Sequence, residues 1–475
     1  MTRVLAQLGV TELCDGLRAR RFSAVEVIES VLDRSAAVAT EYNPFIEVLD
    51  QRARDRAATE DRRIRAGSAG PLSGVPISVK DHIWVKGTHS KAGSKLLNDF
   101  RAPATCVAVT RLEAAGAIVF AKTAQSEFGY MATGYSPVHG DTLNPWNPAR
   151  SPGGSSAGAA VCIATGLGPI ALGSDGGGSL RIPAAFCGVV GFKPSFGLVP
   201  RTPGFPMWQS LNCLGPIART AADARVVVSA MAGLDQQDRY SGLASADIDR
   251  GECSTIRLVA SEDLGTVPVE PVVRRVFHEA VNRLESAGID VHWDDPGLPA
   301  SGEIWMAIAA SESYCTEHAL LESNAGAAST EARQFLELGR RIALQDYLRA
   351  HLARDTISAA YVEMLRRHNA MAFITPTMGT EAPALGAAPL DAGPTISTDS
   401  LMDESDGLVI DASLAGLPAC AIPIGLSPTP LPVSMQIIGL RGHDHQVLAV
   451  AQACELAIAW NGAGHGAGSR THPFG

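Results

Sequence analysis

The segment SPGGSSAGAAVCIATGLGPIALGSDGGGS, residues 151–179, constrains the fold of this chain more than any other stretch. Glycines and hydroxyl residues crowd its two ends, yet AAVCIAT and GPIALG between them are apolar enough to be buried. Flexible linkers are not built this way, because their composition keeps the backbone in water. The segment is therefore expected inside the protein, with glycine wherever the backbone must come close to something. The chain can supply such an interior: 475 residues, 46% hydrophobic and 19% charged, suit a globular protein with a large core.

The flanking sequence reads as an α/β protein. Ser23-Ala-Val-Glu26 matches a capping box ahead of apolar residues at helical spacing, so residues 1–65 are expected to form a helical scaffold. From Gly74 the texture changes to short apolar runs between turn residues (VPISVK, AGAIVFAK, CGVVGFKPS), the pattern of a buried sheet with helices packed on it. A helix is expected to open at Thr220, with a polar surface loop from Asp235 to Ser254. IRLVAS, IDVHW, MAFITPT, LAGLPACAIPIG and VSMQIIG read as further strands, with helices over about 271–287 and 302–370. Residues 66–460 are thus expected to be one α/β domain and 461–475 a frayed tail.

Composition narrows the function. A formal charge of -10 argues against a nucleic-acid partner, which calls for a basic face. The opening MTRVLAQLGVTELCDGL carries Glu12 and Asp15 where a secretory leader needs an unbroken apolar core. No apolar stretch is long enough to span a bilayer. The nine cysteines (Cys14, Cys106, Cys162, Cys187, Cys213, Cys253, Cys315, Cys420, Cys454) are scattered and form no CxxC, as expected of reduced thiols in a cytoplasmic protein. No HExxH or paired-cysteine arrangement supports a metal, and no cofactor is expected.

The glycine-serine segment fits neither a P-loop, for want of the lysine, nor a dinucleotide fingerprint, for want of the spacing. Gly154-Ser155-Ser156-Ala157-Gly158 does satisfy GxSxG, the nucleophile elbow of an α/β-hydrolase esterase. That elbow must follow a strand, and NPWNPARSPGG cannot form one in mid-sheet. A hydrolase built on hydroxyls and a lysine fits better. Ser179 follows Asp175-Gly176-Gly177-Gly178, whose amides, free of side chains, can converge on one oxygen as an oxyanion hole. Each such donor is worth roughly 3 to 4 kcal/mol. A nucleophilic serine needs a base, and lysine serves if burial keeps it neutral. The chain has six lysines, Lys80, Lys86, Lys91, Lys95, Lys122 and Lys193. Lys80 ends the apolar run GVPISVK, which carries its amine to the edge of a core.

KDHIWVKG at 80–87, SPGGSSAG at 151–158 and GSDGGGSLRIPAAFCG at 173–188, in that order, resemble the amidase signature family. The similarity extends more weakly from about residue 10 to SLAGLPACAIPIG. The resemblance implies a large mixed β-sheet covered on both faces by α-helices. It implies Ser179 as nucleophile, Ser155 as a relay serine in a cis Ser-Ser peptide, and Lys80 as base. The amides of Gly176, Gly177, Gly178 and Ser179 would form the oxyanion hole, Ser156 would assist the relay, and Asp175 with Arg181 would brace the nucleophile turn. His82 has no carboxylate partner in the sequence and is expected to be packed or exposed rather than catalytic.

Phe128, Tyr130, Met131, Met207 and Trp208 are candidate walls for an apolar or aryl substrate. The leading expectation is a stand-alone amidase for small or aryl amides, with carbamates, ureas, amide oligomers and esters as related substrates. Its partners would be a small amide and water, with neither nucleic acid nor membrane, as a monomer or a homodimer. The glutaminase subunit of a tRNA-dependent amidotransferase is the alternative, but it needs a cation for the substrate carboxylate. Near LELG at 336–339, where that arginine is expected, stands Phe335, with Arg333, Arg340 and Arg341 close by. A non-catalytic binding protein on the same fold would lack Lys80, Ser155 or Ser179, and all three are present.

Overall fold

The structure, a computed structural model, describes residues 5–242, 256–298, 301–386 and 407–460. The expected tail and the second half of the loop Asp235 to Ser254 lie outside these residues. The strands of the first half are β1 (Phe45–Val48), β2 (Pro76–Lys80), β3 (Ile118–Thr123), β4 (Tyr135–Ser136), β5 (Gly140–Asp141), β6 (Ile170–Asp175) and β7 (Val190–Lys193). Those that follow are β8 (Cys213–Ala218), β9 (Arg257–Ala260), β10 (Asp290–Trp293), β11 (Ala372–Pro376), β12 (Ala419–Leu426) and β13 (Pro432–Ile438).

Strands β4 and β5 pair only with each other, and the other eleven form one sheet in the order β1-β3-β2-β6-β8-β7-β12-β13-β11-β9-β10. The sheet is mixed: β3, β2 and β6 run parallel, β8 is antiparallel to β6, and β11, β9 and β10 are parallel again. Every residue of β2, β3, β6, β7 and β8 is buried, as befits strands covered on both faces.

Local chemistry accounts for the framing helices. Ser23 caps Ala24–Tyr42: its hydroxyl accepts the Glu26 N–H at 3.1 Å while the Glu26 carboxylate accepts the Ser23 N–H at 2.7 Å. Thr220 caps Ala221–Met231 through the Asp223 N–H. The N-terminal segment is not helical throughout, because Phe45–Val48 extends as an edge strand antiparallel to β3. Helices Gly302–Ser323, Thr330–Arg341 and Leu344–Arg367 build a second apolar cluster that takes in Phe128, Tyr130 and Trp208. Among the described residues no helix is long and apolar enough to cross a membrane.

Strands β2 and β6 are parallel neighbours, with Val79 opposite Leu172, so Lys80 and the pair Ser174–Asp175 emerge at the same sheet edge. The crevice outside the carboxyl ends of parallel strands is where α/β folds place their sites.

Candidate active site

Lys80 is fully buried at the end of β2, as are Lys122 and Lys193. Lys122 is accounted for structurally, its amine donating to the carbonyls of Asp81 and Ile83. Lys80 Nζ instead lies 2.7 Å from Ser155 Oγ and 3.1 Å from Ser174 Oγ. Burial lowers the Lys80 amine to about 7, against a weaker pull upward from Asp175 and Asp81. A neutral amine in hydrogen-bond contact with a hydroxyl can take its proton.

The glycine-serine segment folds so that its two ends meet. Helix Ala157–Ala164 begins directly after Ser155 and Ser156, and the chain returns along β6 to the turn that carries Ser179. The Ser156 N–H donates to the Ser179 carbonyl at 3.3 Å, and Ser156 Oγ donates to the Ser174 carbonyl at 3.2 Å. A cis peptide is present, but it joins Gly154 to Ser155 and is not the Ser-Ser bond expected. Ser155 and Ser179 are 2% and 8% exposed, so this chemistry is sheltered from bulk water.

Behind the turn, the Arg181 guanidinium forks onto Asp175 at 3.0 and 3.1 Å, both side chains fully buried. Burial works to raise the Asp175 carboxyl, and Arg181 overrides it, leaving the group below its usual range. Asp175 also accepts the Gly178 N–H at 2.7 Å. This corrects the expected oxyanion hole: the Gly178 amide is committed to the carboxylate, leaving Gly176, Gly177 and Ser179 as candidate donors. Gly176 and Gly177 have a further reason to lack side chains. A Cβ on Gly176 would come within 2.5 Å of the Trp208 ring, and one on Gly177 within 2.7 Å of Trp305.

The candidate wall residues gather here. Met207 and Trp208 are buried, and a Cβ on Gly129 would lie 3.2 Å from Ser155 Oγ and 3.5 Å from Met207 Cε. Tyr130 stacks on Phe335 at 4.4 Å, and Trp208 meets Trp305 edge-on at 5.2 Å. Phe128 joins Tyr130 at 5.6 Å, while Met131 is half-buried beside the cluster. His82 is buried on Gln125, and burial lowers it to about 3, so it is a packed neutral imidazole.

Three participants escaped the sequence reading. Ser174 is the second partner of Lys80; its signal was its place in GSDGGGS, one residue from Asp175 and so on the opposite face of β6. Trp305 donates its indole N–H to the Gly176 carbonyl at 2.7 Å. Glu317, buried and raised by burial to about 7, accepts the Tyr130 hydroxyl at 3.1 Å. Neither Trp305 nor Glu317 carries a local motif.

Comparison with known proteins accords with this geometry. The profile of the Amidase family matches residues 26–448. The chain belongs to the amidase family. It is accordingly an enzyme, a hydrolase of carbon–nitrogen amide bonds. This amidase is 32% identical over 484 residues to the A-type subunit of the glutamyl-tRNA(Gln) amidotransferase of Methylococcus capsulatus, covering 95% of this chain and 97% of the relative. It is 33% identical over 468 residues to the counterpart from Symbiobacterium thermophilum, covering 92% and 93%. Among solved structures it is similar to a bacterial aryl acylamidase of the amidase signature family, with a TM-score of 0.86 at 26% identity, covering 96% of this chain and 97% of that one. These relatives overturn one expectation, that the partners are a small amide and water with no nucleic acid. The curated relatives are subunits of an amidotransferase with a tRNA in its name. A net charge averaged over the whole surface does not constrain what a neighbouring subunit holds.

Proposed function

We propose that this amidase cleaves amides bearing an apolar or aryl group through a Ser179 acyl-enzyme. The observation that carries the reading is the buried Lys80 amine on Ser155 Oγ at 2.7 Å. Neutral Lys80 accepts the Ser155 hydroxyl proton while Ser155 accepts that of Ser179, whose oxygen attacks the amide carbon. The carbonyl oxygen becomes an oxyanion held by the amides of Gly176, Gly177 and Ser179. Collapse breaks the C–N bond, and the departing amine takes the proton back along the same path. Water then attacks the ester by the same relay, releasing the acid and restoring Ser179. The aromatic group of Tyr130, Trp208, Trp305 and Phe335 supports an aryl substituent.

The curated relatives favour a second reading, the glutaminase subunit of an amidotransferase. Phe335 weighs against it. It lies inside the aromatic cluster at 1% exposure, while Arg333 donates to the Ala328 carbonyl and Arg340 and Arg341 pair with Glu337 on the surface. A substrate carboxylate left unpaired in a buried site costs about 3 to 5 kcal/mol, on the order of 10² to 10³ in kcat/KM. An aryl anilide is therefore expected to exceed glutamine by at least about 10²-fold when both are assayed in parallel. Glutamine turnover equal to or above that of the anilide would establish the second reading instead.

The rate should also report the lysine. With Lys80 lowered to about 7 by burial, the neutral, active form dominates above that pH and is lost below it. The kcat/KM profile is expected to be flat on the alkaline side and to fall about tenfold per unit below the break. A profile unchanged down to pH 5 would rule out lysine as the base.

A further inference from the structure

Between the loop at Gln209 and the helices Gly302–Ser323 and Leu344–Arg367 lies a cavity of about 410 Å³, inside the usual size range for a small-molecule site. None of its lining residues is among those named above at the site, although Gln209 follows Trp208 and Glu312 precedes Ser313, which accepts the Trp208 indole N–H at 2.7 Å. Glu312, only 9% exposed, stands on the inner wall, and the rings of Tyr240 and Tyr347 form apolar sides. Glu312 Oε2 accepts the Ser210 N–H at 3.1 Å and Oε1 the Tyr347 hydroxyl at 3.2 Å, which leaves further acceptor capacity on both oxygens. No lysine or arginine pairs with it among the described residues, and His351 stands 3.9 Å away. Arg354, the nearby buried guanidinium, donates to the carbonyls of Leu414 and Ser210. Ser311 Oγ, also on the lining, is buried and makes no hydrogen bond among the described residues. Arg239 lies at the exposed rim, over the Tyr240 ring at 4.6 Å and donating to Gln209 Oε1, and Arg201 stands over the same ring at 4.9 Å, so Tyr240 already carries two cations.

We propose that this cavity is a second binding site, separate from the hydrolytic centre, for a small organic ammonium compound with a flat or apolar body. Glu312, which has no lysine or arginine in salt-bridge contact among the described residues although Arg354 and Arg201 act on it at longer range, and the Tyr347 ring beside it are the groups that would recognise an ammonium. The inference goes beyond the proposed function and does not depend on it. Cys315 provides a direct reporter, since it lines the cavity and is exposed, while the other seven described cysteines are buried.

The test uses the full chain carrying Cys253→Ser and Ser179→Ala, which confines labelling to Cys315 and removes turnover. Iodoacetamide alkylation of Cys315 is followed by mass spectrometry with benzylammonium, benzoate or benzyl alcohol present. Benzylammonium is expected to slow alkylation at least tenfold at saturation, the other two leaving it unchanged. Glu312→Gln should abolish that protection. Leu344→Trp, at an exposed position on the lining, should abolish benzylammonium binding in equilibrium dialysis with the circular dichroism of the parent retained. Protection by benzoate would assign the cavity to anions through Arg239, and equal protection by all three, or by none, would equally overturn the proposal.

Discussion

Ser179→Ala is expected to remove hydrolysis altogether, and Lys80→Met to lower kcat on the order of 10⁴-fold or more. The two variants act on one relay, so the double variant should be no slower than the worse single one, as for residues that work as a unit. Lys80→Met is the sharper test. Its site is fully buried, and a methionine of similar length replaces an amine that burial lowers to about 7, so the protein should remain folded. The Ser155 hydroxyl then keeps its place but has no group to receive its proton. Burst kinetics with an activated ester separate the steps: the acylation burst should vanish in both variants. A Lys80→Met enzyme within tenfold of the parent would mean that water or another group takes the proton.

The parts of this site that could be read in advance are those whose chemistry is local in sequence. Lys80 was legible because an amine at the end of an apolar strand must be explained, and the turn from Asp175 to Ser179 because side chains there would obstruct an approach. Ser23 and Thr220 announced their helices by the same local logic. What was not legible depends on partners far along the chain. Gln436, which accepts from Arg181 Nη1, and Ser413, which shares Nη2 with Asp175, lie 255 and 232 residues away. Strand β13 carries Gln436 and the helix Gly407–Leu414 carries Ser413, and only the tertiary fold brings them beside the turn. Strand β8 also escaped, because Gly215 and Pro216 disguise CLGPIA as a loop, yet it is central in the sheet, with Pro216 opposite Leu172 of β6. The commitment of the Gly178 amide to Asp175 was equally hidden, since a glycine run shows where backbone can approach but not which acceptor each N–H meets.

Arg181→Met should then be the most destabilising single change at the site. The guanidinium has no exposure and donates to four acceptor atoms: both Asp175 oxygens, Gln436 Oε1 at 2.9 Å and Ser413 Oγ at 2.9 Å. Its loss leaves a buried carboxylate whose remaining hydrogen-bond donors are the amides of Gly178 and Leu180 and the Ser413 hydroxyl. Breaking such a pair from one side costs about 3 to 5 kcal/mol, to be read as a lower urea midpoint. Arg181→Lys should recover only part of this, because one ammonium cannot reproduce a planar fork. Removing both charges, with Asp175→Asn and Arg181→Met together, should be less damaging than the sum of the single changes, because no charge is left unpaired. Asp175→Asn has a second consequence that separates an electrostatic role from simple packing. The Asp175 carboxylate pulls the Lys80 amine upward, so neutralising it lets burial push the amine lower still. The acid limb of the rate profile is then expected to move to lower pH even as the maximal rate declines. An acid limb that stayed in place would confine the pair to holding the turn.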